Sequence, residues 1–154
     1  MTSLRAQMGL DKSYAAQYGD WVLGLLHGDL GTSVVSGKAV SAQVSSRASV
    51  TFPLIVLSLL IALAIGLPLG CAAVLTRNVR LRGVFHAAAI VAGAIPALWG
   101  GLLLILLFSK GIGLMGLLPS QGFPDAGWAA PLSAMAALVL PALATGITAG
   151  ASIM

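Results

Sequence analysis

Apolar residues fill three long stretches of this 154-residue chain, and charged residues mark the ends of each stretch. No charged residue occurs between Arg47 and Arg77, between Arg82 and Lys110, or after Asp125, which leaves uncharged runs of 29, 27 and 29 residues. A membrane-spanning helix needs about 20 mostly apolar residues, so each run can hold one span and none can hold two. The pattern predicts helices at about 52–75, 84–108 and 132–154.

The composition indicates that lipid is the main solvent of these helices. Hydrophobic residues make up 58% of the chain and charged residues 8%, whereas a soluble domain carries about 25% charged residues. This deficit argues against a cytosolic enzyme or a nucleic-acid-binding domain. Backbone groups in lipid must pair within their own segment, and residues 54–65 lack the alternation of a membrane barrel. We therefore predict an all-α, polytopic membrane bundle of three transmembrane helices, preceded by an external amphipathic segment.

The few charges also predict an orientation in the bilayer. Arg77, Arg80 and Arg82 crowd the short link between the first two spans, with no acidic residue beside them. Such a cluster is typical of a cytoplasmic link. The link at 109–131 carries only Lys110 and Asp125 and is expected outside. Residues 1–50 then form an external, periplasmic segment, and residues 51–154 form the membrane domain.

The external segment contains two amphipathic stretches around a glycine-rich turn. In residues 11–27, apolar and aromatic side chains recur at helical spacing: Tyr14, Tyr18, Trp21, Val22 and Leu25. This predicted helix either lies along the outer membrane surface or packs in a small external core. Residues 28–33 form the turn, and residues 40–50 are predicted as a second short helix that leads into the first span.

This orientation predicts that the working protein is longer than the chain. An external segment of some 50 residues must be carried across the membrane, and neither a signal peptide nor a preceding apolar span is present to do so. We therefore expect a further membrane helix before Met1.

No residue pattern in the chain predicts enzymatic chemistry. Gly37-Lys38 lacks the earlier glycine and the following hydroxyl of a phosphate-binding loop, because Thr32 and Ala39 occupy those positions. His27, His86 and Cys71 stand apart from one another. We predict no catalytic residues, no metal site and no cofactor, and therefore a subunit that is not an enzyme.

The spans do contain small residues and prolines at spacings that suit close helix packing and bending. The first span holds Gly66, Pro68 and Gly70, the second holds Pro96, and the third holds Pro141. We predict that these five residues act in helix bending or packing. Hydroxyl side chains that could line a pathway are Ser58, Thr145 and Thr148, which are too generic to distinguish a peptide from a metal chelate.

Several segments, taken in order, resemble the inner-membrane permeases of bacterial ABC importers for dipeptides, oligopeptides and nickel. The external turn Gly28-Asp29-Leu30-Gly31-Thr32-Ser33, followed by 37–40, is similar to the family's "GDLG-S" and "G-pV" motifs. Further similar segments are 4–11 with 17–18, 65–70 with 72–73, 96–105, 117–122 and 140–143. The family motif in the external turn maps onto Gly28, Asp29, Leu30, Gly31 and Ser33.

The resemblance implies a six-helix permease in which the present spans are the second, third and fourth. It implies four kinds of partner: a second permease subunit, cytoplasmic ATP-binding subunits, an extracytoplasmic solute-binding protein, and the lipid bilayer; it implies no nucleic acid. It places the protein in the bacterial cytoplasmic (inner) membrane, and the family's ATPase-docking "EAA" loop would follow Met154. The rival functions are a component of a secondary transporter or channel and a structural membrane subunit without a pathway.

Overall fold

The computed structural model describes residues 12–120 and 122–154, and their regular structure is helical. The helices are α1 Tyr14–Leu26, α2 Val40–Leu75, α3 Val79–Ala94, α4 Ala97–Phe108 and α5 Pro131–Ala151, with a single 3-10 turn at Gly127–Ala129. Within these residues, extended pairing is limited to two isolated bridges, Thr32 with Ala39 and Ser109 with Leu118. The predicted all-α class is confirmed. The sequence segments at 1–11 and at Gln121 lie outside the described residues.

The chain divides into two compact units, one up to Val50 and one from Thr51 onward. In the first unit, the Ser13 hydroxyl caps α1 by accepting from the backbone N–H of Ala16. Lys12 and Asp20 form an ion pair along the first turns. Tyr14, Tyr18 and Trp21 are exposed, so the described residues of this unit, from Lys12 onward, do not enclose them in a core.

Helix α2 is one continuous element of 36 residues. Residues 40–50, predicted as a separate short helix, are its first turns. At 1.5 Å per residue α2 is about 54 Å long, which exceeds the roughly 30 Å of a bilayer's hydrocarbon core. By length and composition, α2 and α5 can each cross a membrane.

The second predicted span, 84–108, is divided in the structure into α3 and α4. The two helices meet at Ile95 and Pro96 and are bent by 97° relative to each other. Proline has no N–H to continue the helical ladder, and it pushes the residue before it out of the helical region. Ile95 accordingly has φ −78° and ψ 118°. Residues 12–120 and 122–154 thus contain two candidate spans, or three if the bent pair is counted as one.

The arginine cluster is held at the start of α3 rather than spread along a six-residue link. Asn78 caps this helix by accepting from the N–H groups of Arg80 and Leu81 at 3.0 and 3.4 Å. Arg80 and Arg82 therefore lie in the first turn of α3, and Arg77 lies in the link before it. The Arg82 guanidinium donates to the Thr76 carbonyl at 3.1 Å, which draws this side chain back over the link.

A loop after α4 folds back and pairs the last carbonyl groups of that helix. Ser109 N–H donates to Ile105, Leu114 N–H to Leu106, and Met115 N–H to Leu107, at 2.8–3.0 Å. The N–H groups of Leu117 and Leu118 both donate to Phe108 at 2.9 Å. The four carbonyls that any helix leaves unpaired at its carboxyl end are thereby all satisfied.

Candidate functional site

A groove of about 470 Å³ with mixed polar and apolar walls lies between α4 and α5. Its size falls within the range of small-molecule sites. Helix α4 contributes Leu98, Gly101 and Ile105, the following loop contributes Ser120, and α5 contributes mostly small or apolar residues: Ala137, Leu140, Pro141, Ala144 and Thr145. The groove could therefore enclose part of a small solute without offering it a charge.

Two hydroxyl groups supply polarity to this groove, and a proline in its wall leaves one nearby backbone carbonyl without its helical partner. The hydroxyls belong to Ser120 and Thr145. The carbonyl belongs to Ala137, which lies four residues before Pro141 and so cannot receive the usual helical hydrogen bond. Pro141 was predicted from sequence as a bending or packing residue; it lies inside the continuous helix α5 and thereby leaves a hydrogen-bond acceptor beside the groove.

The Thr145 hydroxyl also connects the groove wall to α2. Its Oγ1 lies 2.8 Å from Ser58 Oγ, across 87 positions of sequence. Ser58 Oγ is in addition 2.7 Å from the Leu54 carbonyl, and Thr145 Oγ1 is 2.9 Å from the Pro141 carbonyl. Thr145 Oγ1 also lies 3.4 Å from the Ala142 carbonyl. Two hydroxyl protons are thus shared among four possible hydrogen bonds, so the pair can exchange partners within and between the two helices.

Removing the Thr145 hydroxyl should weaken the contact between α2 and α5 by a small, measurable amount. Hydrogen bonds between membrane helices are worth about 0.6 kcal/mol on average and up to about 1.7 kcal/mol. We expect a double-mutant cycle of Thr145→Val and Ser58→Ala, read from denaturant unfolding in micelles, to give a coupling energy in this range. The matched control is Thr148→Val, because the Thr148 hydroxyl donates to Ala144 within its own helix. Equal coupling of Ser58 to both threonines would contradict the pairing.

Glycines bring α2 and α5 into backbone contact next to this hydroxyl pair. A Cβ on Gly66 would lie 2.7 Å from the Gly150 carbonyl oxygen, and a Cβ on Gly146 would lie 2.8 Å from that of Ser58. Gly70 approaches the backbone of Ile153 and Met154 in the same way, at 3.3 and 3.4 Å. Pro68 lies between Gly66 and Gly70, inside the continuous helix α2. The structure therefore places Gly66 and Gly70 at the helix contact.

The external-turn residues form a compact link between α1 and α2 in the first unit. Gly28 and Gly31 have positive φ values of 79° and 75°, which glycine adopts without strain. The Asp29 carboxylate accepts from the Gly31 N–H at 2.8 Å, and Gly31 in turn accepts from Val40 at 2.9 Å. Leu30 is half-buried, and Ser33 N–H donates to Lys38 at 2.9 Å. This motif has a clear local structural role, and it lies in a different unit from the groove.

Sequence reasoning missed the loop residues that complete the groove. Ser109 is fully buried and its hydroxyl bonds to that of Ser120, which lines the cavity. No periodic pattern marks this pair, since the two residues belong to a loop and meet only after it folds back. Within the described residues, no group of His, Cys, Asp or Glu is arranged to hold a metal ion.

Comparison with known proteins supplies the functional context of this arrangement. The chain is 30% identical over 143 residues to a peptide transport system permease protein of Brucella abortus, an alignment that covers 90% of this chain and 43% of the relative. It is 37% identical over 123 residues to a D,D-dipeptide transport system permease protein of Escherichia coli, covering 80% and 35%. It is 34% identical over 110 residues to a glutathione transport system permease protein of Salmonella typhi, covering 71% and 36%.

The alignments cover most of this chain but less than half of each relative. The chain spans less than half the length of these curated relatives. No protein-family model matches it.

Proposed function

Because this chain belongs to the family of peptide transport system permease proteins, we propose that it forms part of the membrane pathway of an ATP-driven importer. The observation that carries this proposal is the similarity of nine-tenths of the chain to such a permease. The chain is accordingly a membrane protein and, in this proposal, a transport subunit rather than an enzyme.

We propose short peptides as the substrate class. The relatives are named for peptide, D,D-dipeptide and glutathione transport, and these solutes share amide groups and small size. The hydroxyls of Ser120 and Thr145 and the Ala137 carbonyl can exchange hydrogen bonds with amides, and the apolar wall can cover side chains. A nickel complex, which the resemblance also implied, has less support than a peptide because these three relatives are named for peptide, D,D-dipeptide and glutathione transport.

The proposed partners are a second permease subunit, cytoplasmic ATP-binding subunits and an extracytoplasmic solute-binding protein, and the proposed location is the bacterial inner membrane. We propose that residues 1–50 lie on the extracytoplasmic side and that Arg77, Arg80 and Arg82 lie on the cytoplasmic side. There the arginines would meet anionic lipid headgroups. Pro96 ends one helix and begins another at a 97° bend, so it is the proposed site of movement during alternating access.

Uptake measurements in the bacterium of origin test this proposal. Cells that lack the gene are complemented with the unmodified gene, with a Gly66→Leu gene or with a Gly83→Leu gene, and uptake of a labelled dipeptide, labelled glutathione and labelled nickel is followed. We expect peptide uptake to be lost with the deletion and with Gly66→Leu. It should be restored by Gly83→Leu, because a side chain on Gly83 meets nothing within 4 Å.

The rival functions predict different results in the same cells. Uptake that stops with vanadate supports ATP-driven import, whereas uptake that stops only with a protonophore indicates a secondary transporter. Unchanged uptake of all three solutes in the deletion strain would overturn the transport proposal and favour a structural subunit. Affinity purification of the tagged chain from the same membranes shows whether the proposed ATP-binding and solute-binding partners accompany it.

A further inference from the structure

The loop that follows α4 has an unusual combination of exposed apolar side chains and internally paired backbone. Among residues 110–118, Lys110 is the one charged residue, and the remainder are glycine, leucine, isoleucine or methionine. Four of the large apolar side chains are well exposed: Ile112 74%, Leu114 87%, Met115 59% and Leu117 59%. We call residues 110–118 the apolar loop.

Most backbone N–H groups of the apolar loop are paired within the protein. Six of its nine N–H groups donate to backbone carbonyls: Lys110, Gly113, Leu114, Met115, Leu117 and Leu118. A loop in water gains little from such pairing, because water satisfies its backbone groups equally well. Lipid-exposed irregular backbone is not tolerated in the hydrocarbon region, so a loop at the membrane surface must keep its backbone near the headgroups and pair most of its polar groups.

The exposed side chains of the loop continue the apolar surface of α4. Leu114 and Met115 donate to the carbonyls of Leu106 and Leu107, whose side chains are 57% and 43% exposed. The loop therefore lies directly against the last turn of a helix that has no charged residue. Next to the α3–α4 break Gly93 lies near Ala151, and on α4 Gly101 lies near Ala144. This part of the chain therefore runs antiparallel to α5, toward the end at which α5 begins.

We propose that the backbone of the apolar loop lies at the membrane interface and that its exposed side chains enter the edge of the bilayer's hydrocarbon region, which anchors the carboxyl end of α4 there. The occupant of its exposed face is lipid acyl chain, because the surface it extends is that of a membrane-embedded helix. Lys110 lies at the base of the loop, where its long side chain can reach the headgroups while its stem stays in an apolar environment. The inference depends on the membrane location of the chain and not on transport.

Site-directed spin labelling of the full chain in phosphatidylcholine bilayers tests this inference. Single cysteines replace Leu114, Met115 or Ile112 in a Cys71→Ala background, and each nitroxide is scored for collisions with oxygen and with a water-soluble nickel chelate. We expect oxygen collisions to exceed nickel-chelate collisions several-fold at all three loop positions. Leu59→Cys, exposed near the middle of α2, is the lipid control, and Asp125→Cys, exposed in the later loop, is the water control.

Each alternative outcome is distinct. Collisions dominated by the nickel chelate at the loop positions, as at Asp125→Cys, would place the loop in water and overturn the inference. Low collision rates with both reagents would show that another protein surface covers the loop, which would overturn it equally. Because three positions are labelled separately, a single variant that fails to fold does not decide the result. The readout is independent of peptide uptake, so failure of the proposed function leaves it interpretable.

Discussion

Replacement of Gly66 by leucine is expected to separate α2 from α5 and to destabilise the bundle by several kcal/mol. The position where its Cβ would lie is 2.7 Å from the Gly150 carbonyl oxygen and 3.0 Å from Ile153 Cβ. The first of these neighbours is backbone, which cannot rotate away. Overpacking a well-packed interior costs about 1–3 kcal/mol even where side chains can adjust, and here the two helices must move apart. Close approach of glycine-rich faces is the main source of attraction between membrane helices, so that attraction is lost as well.

Alanine substitutions at Gly66 and Gly83 provide a matched control, because only the change at Gly66 should reduce the free energy of unfolding. Alanine in a helix is more favourable than glycine by up to about 1 kcal/mol. Gly83→Ala, where nothing lies within 4 Å, should therefore be neutral or stabilising. Gly66→Ala should lose about 1–3 kcal/mol. Unfolding by denaturant in micelles, followed by circular dichroism, measures both; equal effects at the two positions would show that Gly66 is not at a helix contact.

Replacement of Gly113 by alanine is expected to open the apolar loop. The new Cβ would lie 2.5 Å from the Ser109 carbonyl oxygen and 2.9 Å from that of Ile105, and closer still to the Ser109 nitrogen. All three atoms belong to the backbone at the end of α4. Relief of this clash requires the loop to swing away, which breaks the Gly113 bond to Ser109 and strains its neighbours at Leu114 and Met115. We expect a cost of about 3 kcal/mol, at the upper end of overpacking effects.

Amide hydrogen exchange locates this effect. In Gly113→Ala, exchange should accelerate at the N–H groups of Leu114, Met115 and Leu118, while the middle of α5 keeps its protection. The control is Gly100→Ala, where the new Cβ would be 3.7 Å from Ile95 Cγ2, an ordinary contact distance. Unchanged exchange in the loop of Gly113→Ala would mean that the close approach at Ser109 does not exist in the protein.

The external turn is a feature that short-range sequence patterns predict correctly. The Gly-Asp-Leu-Gly motif at 28–31 was predicted as a turn from its residue types alone. The structure has positive φ at both glycines and an Asp29 carboxylate that accepts from Gly31. Every group involved lies within a few residues of the others, so the side chains themselves specify the local geometry.

The second predicted span shows a feature that such patterns do not predict, the break between α3 and α4. The uncharged run from 83 to 109 is apparent in the sequence, and the proline within it, Pro96, is predicted as a position of bending or packing. A helix can continue through a proline, as α2 does at Pro68 and α5 does at Pro141. The same residue type at position 96 instead separates two helices by 97°. Residue type alone therefore does not distinguish a proline that separates two helices from one that a continuous helix contains.

What the sequence determined by itself is the membrane as solvent, the helical class and the positions of the apolar stretches. The physical reason is that the cost of placing a charge or an unpaired backbone group in lipid applies to each residue separately. Only the tertiary structure decided that Gly66 meets Gly150, that Ser58 shares hydrogen bonds with Thr145, and that Ser120 closes the groove over α4. These contacts join residues far apart in the chain, and their energy exists only once two helix surfaces, or a helix and a returning loop, have been brought together.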